Sequence, residues 1–340
     1  MAVAQRPLAL TLGDPAGIGP DITLLAWTAR TQEAIPPFVL VGDAAVLAER
    51  ARALGLGVPI GEISEPGAAL GLFPRALPVL PVASPGPVVA GRPDQRAAHA
   101  VTQSIERAVA LARGGAASAV VTNPIAKAVL YAAGFPFPGH TEYLAALASA
   151  EGRPLHAVMM LASPTLKVVP VTIHVPLKDV PPLLTHDLIL ATIEITARDL
   201  GRYFGLERPR LAVSGLNPHA GEDGGLGREE IDIIAPAIAA ARAKGLNVTG
   251  PHPADTLFHA AARATYDAAI CMYHDQALVP FKTLAFEEGV NVTLGLPFIR
   301  TSPDHGTAFG IAGTGQASPR SLIEALRLAA AMHEKTEARA

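Results

Sequence analysis

Ala268-Ala269-Ile270-Cys271-Met272, followed at once by Tyr273-His274-Asp275-Gln276, is the stretch that decides how this chain reads. Five apolar residues in a row, bounded on both sides, are the mark of a short buried strand. The four polar side chains stand where such a strand has to stop. In open α/β sheets, ligands sit just outside the carboxyl ends of the strands. The stretch therefore predicts an α/β fold and one edge of its site together. Over roughly the next thirty residues, the scale of a single βα unit, come Lys282, Asn291, Arg300, Asp304 and His305. Charged residues make up only 17% of the chain, so cations this near a strand end point to an anionic ligand. Taken singly, Lys282 and Arg300 read as surface charges and His274 as a satisfied core histidine. Partners elsewhere in the chain have to decide.

Composition narrows the class. With 340 residues, the chain has room for one large domain or two to three smaller ones. Half of the residues are hydrophobic but only 5% are aromatic, so small aliphatic side chains must fill the core. A net charge of -3 argues against a nucleic-acid-binding surface and against a polybasic membrane patch. The lone cysteine, Cys271, can form no internal disulfide, which fits a reducing compartment. Leu8 to Leu12 is too short for a signal-peptide core, and no apolar run approaches the roughly 18 residues of a spanning helix. The expectation is a soluble, cytoplasmic protein with no membrane and no nucleic-acid partner.

Working back to the start, Leu8 to Leu12 reads as a strand, then Gly13-Asp14-Pro15-Ala16-Gly17-Ile18-Gly19-Pro20-Asp21 leads into a helical pattern from Ile22 to Ala29. A dinucleotide loop needs Gly-x-Gly-x-x-Gly, and Gly17-Ile18-Gly19 continues with Pro20, Asp21 and Ile22, so the fingerprint fails at its third glycine. A tight strand-to-helix turn remains, with Pro20 suited to a first helical turn. Strand Phe38 to Val41 and helix Ala44 to Leu54 continue the β/α alternation. Residues 64–95 are rich in proline and glycine around one short strand near Leu77 to Val82, which Pro78 and Pro81 should confine to a sheet edge. A helix from about Arg96 to Arg113 and a strand Ala119 to Thr122 follow, ending in Asn123-Pro124. At Gly139-His140-Thr141-Glu142, Thr141 reads either as a helix cap or as a hydroxyl beside His140 at a positive helix end suited to phosphate. Strand-like Lys167 to Ile173 ends at His174, and Arg210 to Ser214 leads into Gly215-Leu216-Asn217-Pro218-His219. With His274, three histidines lie just beyond predicted strands. They read as loop histidines or as three neutral ligands of a divalent ion with an open position.

Together these segments resemble a known family. Gly13 to Pro20, Gly139-His140-Thr141-Glu142, Asn217-Pro218-His219-Ala220-Gly221-Glu222, Pro253-Ala254-Asp255-Thr256, Met272 to Gln276 and Gly295 to Ser302 look like motifs of the 4-hydroxythreonine-4-phosphate dehydrogenases of pyridoxal phosphate biosynthesis. The likeness runs from about Leu8 to the last helix. It implies a two-domain α/β/α sandwich of the isocitrate/isopropylmalate dehydrogenase type, not a Rossmann domain. One domain would comprise 1–125 together with 285–340, the other 126–284 with the dimer interface and metal ligands, and the active-site cleft would lie between them. It also implies a homodimer in which His174, His219 and His274 hold one divalent ion (Zn, Mg, Co or Mn), His174 reaching across from the partner. His140, Thr141, Lys282, Asn291 and Arg300 would bind substrate, and Asp304, His305, Gly306 and Thr307 would hold NAD, with NADP as an alternative.

The implied reaction is oxidation of 4-phosphohydroxy-L-threonine to 2-amino-3-oxo-4-phosphooxybutanoate, which decarboxylates to 3-amino-2-oxopropyl phosphate. The base stays open among His140, Asp255 and Asp275. Rival readings are a related dehydrogenase of 4-phosphothreonate or an aromatic dihydrodiol. More remote are a metal-dependent lyase or hydrolase, or a phospho-ligand sensor, without nicotinamide.

Overall fold

The computed structural model describes residues 6–149 and 155–339. Its strands follow the apolar runs: β1 Leu8–Thr11, β2 Phe38–Gly42, β3 Ile60–Glu62, β4 Leu77–Pro81 and β5 Val120–Thr122; then β6 Val158–Ala162, β7 Lys167–Pro170, β8 Arg210–Ser214, β9 Asn247–His252, β10 Ala268–Cys271 and β11 Val290–Leu294; and last β12 Arg300–Pro303. The chain divides into two compact units, one of residues 1–156 with 296–334 and one of 157–295 with 335–340.

In the first unit the strands run β3-β4-β2-β1-β5-β12, each pair parallel. Helices Gly19–Thr28, Ala44–Ala53 and Ala98–Arg113 connect them. Asp43 starts the second of these by accepting from the backbone N–H groups of Ala45 at 2.8 Å and Val46 at 3.4 Å. In the other unit the order is β11-β6-β7-β10-β8-β9. There β7, β10, β8 and β9 are parallel, while β6 runs antiparallel to both β7 and β11. Thr185 caps the helix His186–Phe204 through Leu188 N–H at 3.1 Å, and Gly205 ends it in the left-handed region.

Two expectations need correcting. The exchange points do not fall at 125/126 and 284/285. Tyr143 hydrogen-bonds Glu106 at 2.7 Å and Arg113 donates to the Leu147 carbonyl at 2.7 Å, which ties the helix His140–Ala148 to the first unit. Pairing of Val290–Leu294 with β6 keeps β11 in the second. Nor is β4 an edge strand, because the short β3 covers it. Its prolines are tolerated for a local reason. N–H groups alternate along β4, Leu77 donating to Pro59 on the β3 side and Val82 to Gly42 on the β2 side. Pro78 therefore faces β2 before that pairing begins at Val79, and Pro81 faces β3 beyond its last partner.

The core is aliphatic as composition requires: Phe38 and Phe281 are the aromatic members of the largest fully buried side chains, the rest being leucines and isoleucines. Cys271 is buried in this core, and burial pushes its thiol up to about 12, so it is chemically inert at neutral pH. No helix of the described residues is long and apolar enough to cross a membrane.

Candidate active site

The strand ends of the second unit carry the histidines. Past β7, Val171 N–H donates to the Cys271 carbonyl at 2.8 Å, and Thr172 gives both its N–H (3.2 Å) and its hydroxyl (2.8 Å) to the Met272 carbonyl. This lashing of the β7 and β10 ends brings His174 beside His274, with ring centroids 5.7 Å apart. His274 opens the helix His274–Ala285 behind an extended Tyr273, and its Nδ1 lies 2.7 Å from the Asp275 carboxylate. Asp275 thus fixes the ring and leaves Nε2 as the nitrogen for a ligand. Gln276, which sequence reading left without a role, accepts from Met272 N–H and the Ser214 hydroxyl, both at 2.7 Å, and donates to the Gly215 carbonyl at 2.8 Å. It braces the His274 turn against the end of β8.

His219 sits on that neighbouring turn, exposed, in an unusual backbone. His219, Ala220, Gly221, Glu222 and Asp223 are consecutive residues with φ of 53, 53, 83, 44 and 52°. His174 also has a positive φ, 40°. Each left-handed non-glycine residue costs about 1–2 kcal/mol, and such strain collects at functional sites. The turn Ala254–Thr256 with exposed Asp255 packs against the His219 turn. His174 and His274, which the family resemblance assigns to different subunits, are neighbours within one chain. Among the described residues no group of three or more His, Cys, Asp or Glu could hold an ion. The imidazole pair fits two positions of a metal site. On the same unit, Asn291 lies on β11 and Lys282 stands over the Phe286 ring at 5.6 Å.

The first unit carries a different cluster. Arg300, at the start of β12, is 3% exposed, and its guanidinium donates to the Thr122 hydroxyl at 3.2 and 2.6 Å. Burial pushes its pKa down to about 10, still fully charged at neutral pH. His140 opens the helix His140–Ala148 behind Gly139, and no side chain caps that helix, so Thr141 is not the cap. The His140 Nε2 is buried without a hydrogen-bond partner among the described residues. Burial first, then Arg300 and Lys127, hold this imidazole well below its usual 6.5, so it is neutral. Lys127, which sequence reading missed, reaches close to Gly139: a Cβ there would lie 3.2 Å from its ammonium nitrogen. The signal for it was a cation opening the short helix after Asn123-Pro124. Two cations, a helix start and a neutral imidazole with an unused nitrogen are suited to an anion, while the Glu142 carboxylate, 3.0 Å from the same Cβ position, lies beside Lys127.

Thr307 braces the first glycine turn. Thr307 accepts from Ile18 N–H at 2.9 Å, and a Cβ on Gly17 would meet the same carbonyl at 2.9 Å. Gly13, with φ 72°, would meet the Pro124 carbonyl at 2.6 Å. These glycines make room for protein backbone, which explains the turn without a pyrophosphate. Beneath it, Arg50 pairs with Asp21 and donates to the Gly17 and Pro15 carbonyls, while Asp21 accepts from Gly313 N–H at 2.7 Å. Asp304 N–H donates to the Ser321 hydroxyl and His305 Nδ1 lies 3.1 Å from the Gly306 carbonyl. A cavity of about 240 Å³ opens beside this turn, lined among others by Asp14, Ala16, Ser84 and Arg96.

A mostly parallel α/β frame with a buried cation beside a neutral imidazole on one unit and paired imidazoles on strand-end turns of the other outlines an enzyme of small charged metabolites. The model of the family described as "Pyridoxal phosphate biosynthetic protein PdxA" matches residues 33–329. The chain belongs to this family. A 4-hydroxythreonine-4-phosphate dehydrogenase of Methylorubrum extorquens is 62% identical over 97% of this chain and 95% of its own length. The crystal structure of the Klebsiella pneumoniae 4-hydroxythreonine-4-phosphate dehydrogenase is 39% identical, with a TM-score of 0.85 over 97% of this chain and 100% of that one. A terephthalate 1,2-cis-dihydrodiol dehydrogenase from Burkholderia xenovorans is more distant, 29% identical with a TM-score of 0.65 over 95% and 97%.

Proposed function

We propose that this chain is a 4-hydroxythreonine-4-phosphate dehydrogenase. It oxidises 4-phosphohydroxy-L-threonine with NAD, or NADP, to a β-keto acid that loses carbon dioxide and leaves 3-amino-2-oxopropyl phosphate. The observation that carries the reading is the identity, over nearly the whole chain, to relatives of that name. The buried Arg300 favours a phosphorylated substrate over an uncharged diol.

Arg300, Lys127 and the start of the helix at His140 receive the phosphate, with Thr141 adding a hydroxyl. Neutral His140 offers a hydrogen bond to a substrate oxygen without adding charge. Lys282 and Asn291 hold the rest of the chain of carbons, and the turn at Asp304, His305, Gly306 and Thr307 borders the nucleotide. Asp275, already bonded to His274, is a ring-orienting group, which leaves Asp255 or His140 to take the hydroxyl proton. A divalent ion, when bound, supplies a Lewis acid that lowers the pKa of the hydroxyl being oxidised.

The ion's ligands are His174 and His274 of one chain and His219 of a second copy. The contact of the first two rings within one chain and the exposure of His219 support this division over the one first expected. Large apolar side chains are exposed next to these histidines: Val175 and Leu177 after His174, and Val279, Leu284 and Phe286 on or just beyond the helix that His274 opens. Such a surface suits a second copy of the chain.

Two measurements test the proposal. Absorbance of the reduced nicotinamide should rise with 4-phosphohydroxythreonine and a divalent ion, should fail after chelation, and should stay low with 4-phosphothreonate. Purified mixed dimers of His219→Ala with His274→Ala should recover about half of wild-type activity, because one of two sites is whole. Mixed dimers of His174→Ala with His274→Ala should stay inactive. The opposite pattern would return His174 to the partner subunit.

A further inference from the structure

The geometry points to Glu230 as the positioning residue for His219, an inference that rests on the ligand role proposed above. Glu230 is 3% exposed, and none of the ion pairs among the described residues includes it. A buried carboxylate without a cation is costly unless hydrogen bonds saturate it, and here the turn before His219 does so. Its Oε1 accepts from the backbone N–H groups of Leu216 and Asn217, both at 2.7 Å, and its Oε2 accepts from the Asn217 side-chain amide at 3.0 Å. The same amide donates to Glu229 at 2.7 Å. Two glycines make way for the carboxylate: a Cβ on Gly215 would lie 2.9 Å from Oε1, and one on Gly221 would lie 2.6 Å from Oε2. Gly221 is the middle residue of the left-handed run 219–223. Glu230 itself opens a π-helical turn, Glu230–Ile234, an irregularity common near functional sites.

The carboxylate therefore sits under the turn, drawing the N–H groups ahead of His219 inward. The exposed imidazole is then carried outward on a backbone that would otherwise relax out of the left-handed region. A glutamine cannot substitute fully. It keeps one acceptor, but its amide N–H₂ would face a donor, either the backbone N–H pair or the Asn217 amide.

The test is cobalt(II) affinity of the full-length protein, by competition with a chelator, together with the visible absorption band of the bound ion. Glu230→Gln should stay folded by circular dichroism yet bind cobalt about tenfold more weakly or worse, with its band shifted toward that of His219→Ala. A purely structural Glu230 would lower thermal stability and leave affinity and band unchanged in the folded protein. That result overturns the inference when His219→Ala does lose affinity. If His219→Ala binds cobalt as tightly as wild type, the ligand role of His219 fails, and this inference with it. Should Glu230→Gln fail to fold, Gly221→Ala decides by the same readouts, since its methyl displaces the carboxylate from the same turn.

Discussion

Arg300 opens a strand and His274 follows the end of one, yet the surroundings they create are opposite. Arg300 is 3% exposed and anchored on Thr122, with a neutral histidine beside it. The His274 side chain is 35% exposed at a helix start, its companion His174 has a left-handed backbone, and His219 stands on a turn of five such residues. The first group is a buried cation and a neutral imidazole gathered within one unit. The second is a set of imidazoles held at a cost in backbone strain. The difference teaches that the Arg300 group is preorganised by burial, whereas His174 and His219 are held exposed on strained backbone, which is the arrangement that the proposed ion and second copy would use.

The comparison predicts a double dissociation. The largest effect should come from His274→Ala: losing the ion's charge stabilisation, about 4 kcal/mol, would cut turnover about a thousandfold. Binding of the phosphorylated substrate to the metal-free protein should hardly change, by calorimetry. Arg300→Ala should do the reverse. A charge-assisted hydrogen bond is worth about 1.5–3 kcal/mol, so substrate affinity should drop about tenfold or more. Metal affinity should stay as in wild type. If either substitution damaged both properties equally, the two groups would not be independent.

Smaller effects sharpen the picture. Lys127→Ala removes an exposed ammonium, worth at most about 1 kcal/mol, so the Michaelis constant should rise no more than about fivefold. Because Lys127 is one of the charges that depress His140, the His140 imidazole should titrate closer to its usual 6.5 in this variant, read by its proton resonance. The smallest effect is on stability. His140 is held neutral in the folded chain, so below pH 6.5 the unfolded chain binds a proton that the folded one refuses. Stability is thus lost as pH falls from 7 toward 5. Chemical denaturation should show wild type losing more over that range than His140→Gln. An equal loss in both would mean that His140 protonates normally.

Much of this was readable locally. The run Ala268 to Met272 forms β10 at nearly its expected length, Pro20 stands in the first turn of its helix, and the incomplete glycine pattern after β1 accommodates the Thr307 carbonyl. Lys127 and Glu230 escaped because neither looks unusual in sequence: a lysine opening a helix and a glutamate beside another glutamate are ordinary surface patterns. Pro78 and Pro81 misled because a proline's effect on a strand depends on which neighbour its missing N–H would face, and that is a matter of register.

By itself the sequence determined the α/β alternation, the ends of the strands and the residue types that stand there, since periodicity and turn chemistry act over a few residues. Only the tertiary structure decided which of those residues meet. The placement of β7 beside β10 pairs His174 with His274, and β12 beside β5 sets Arg300 on Thr122. It also decided the sign of φ at His219 and the burial of Glu230 and Arg300. Proximity, burial and strain are properties of how distant segments pack, and no local pattern carries them.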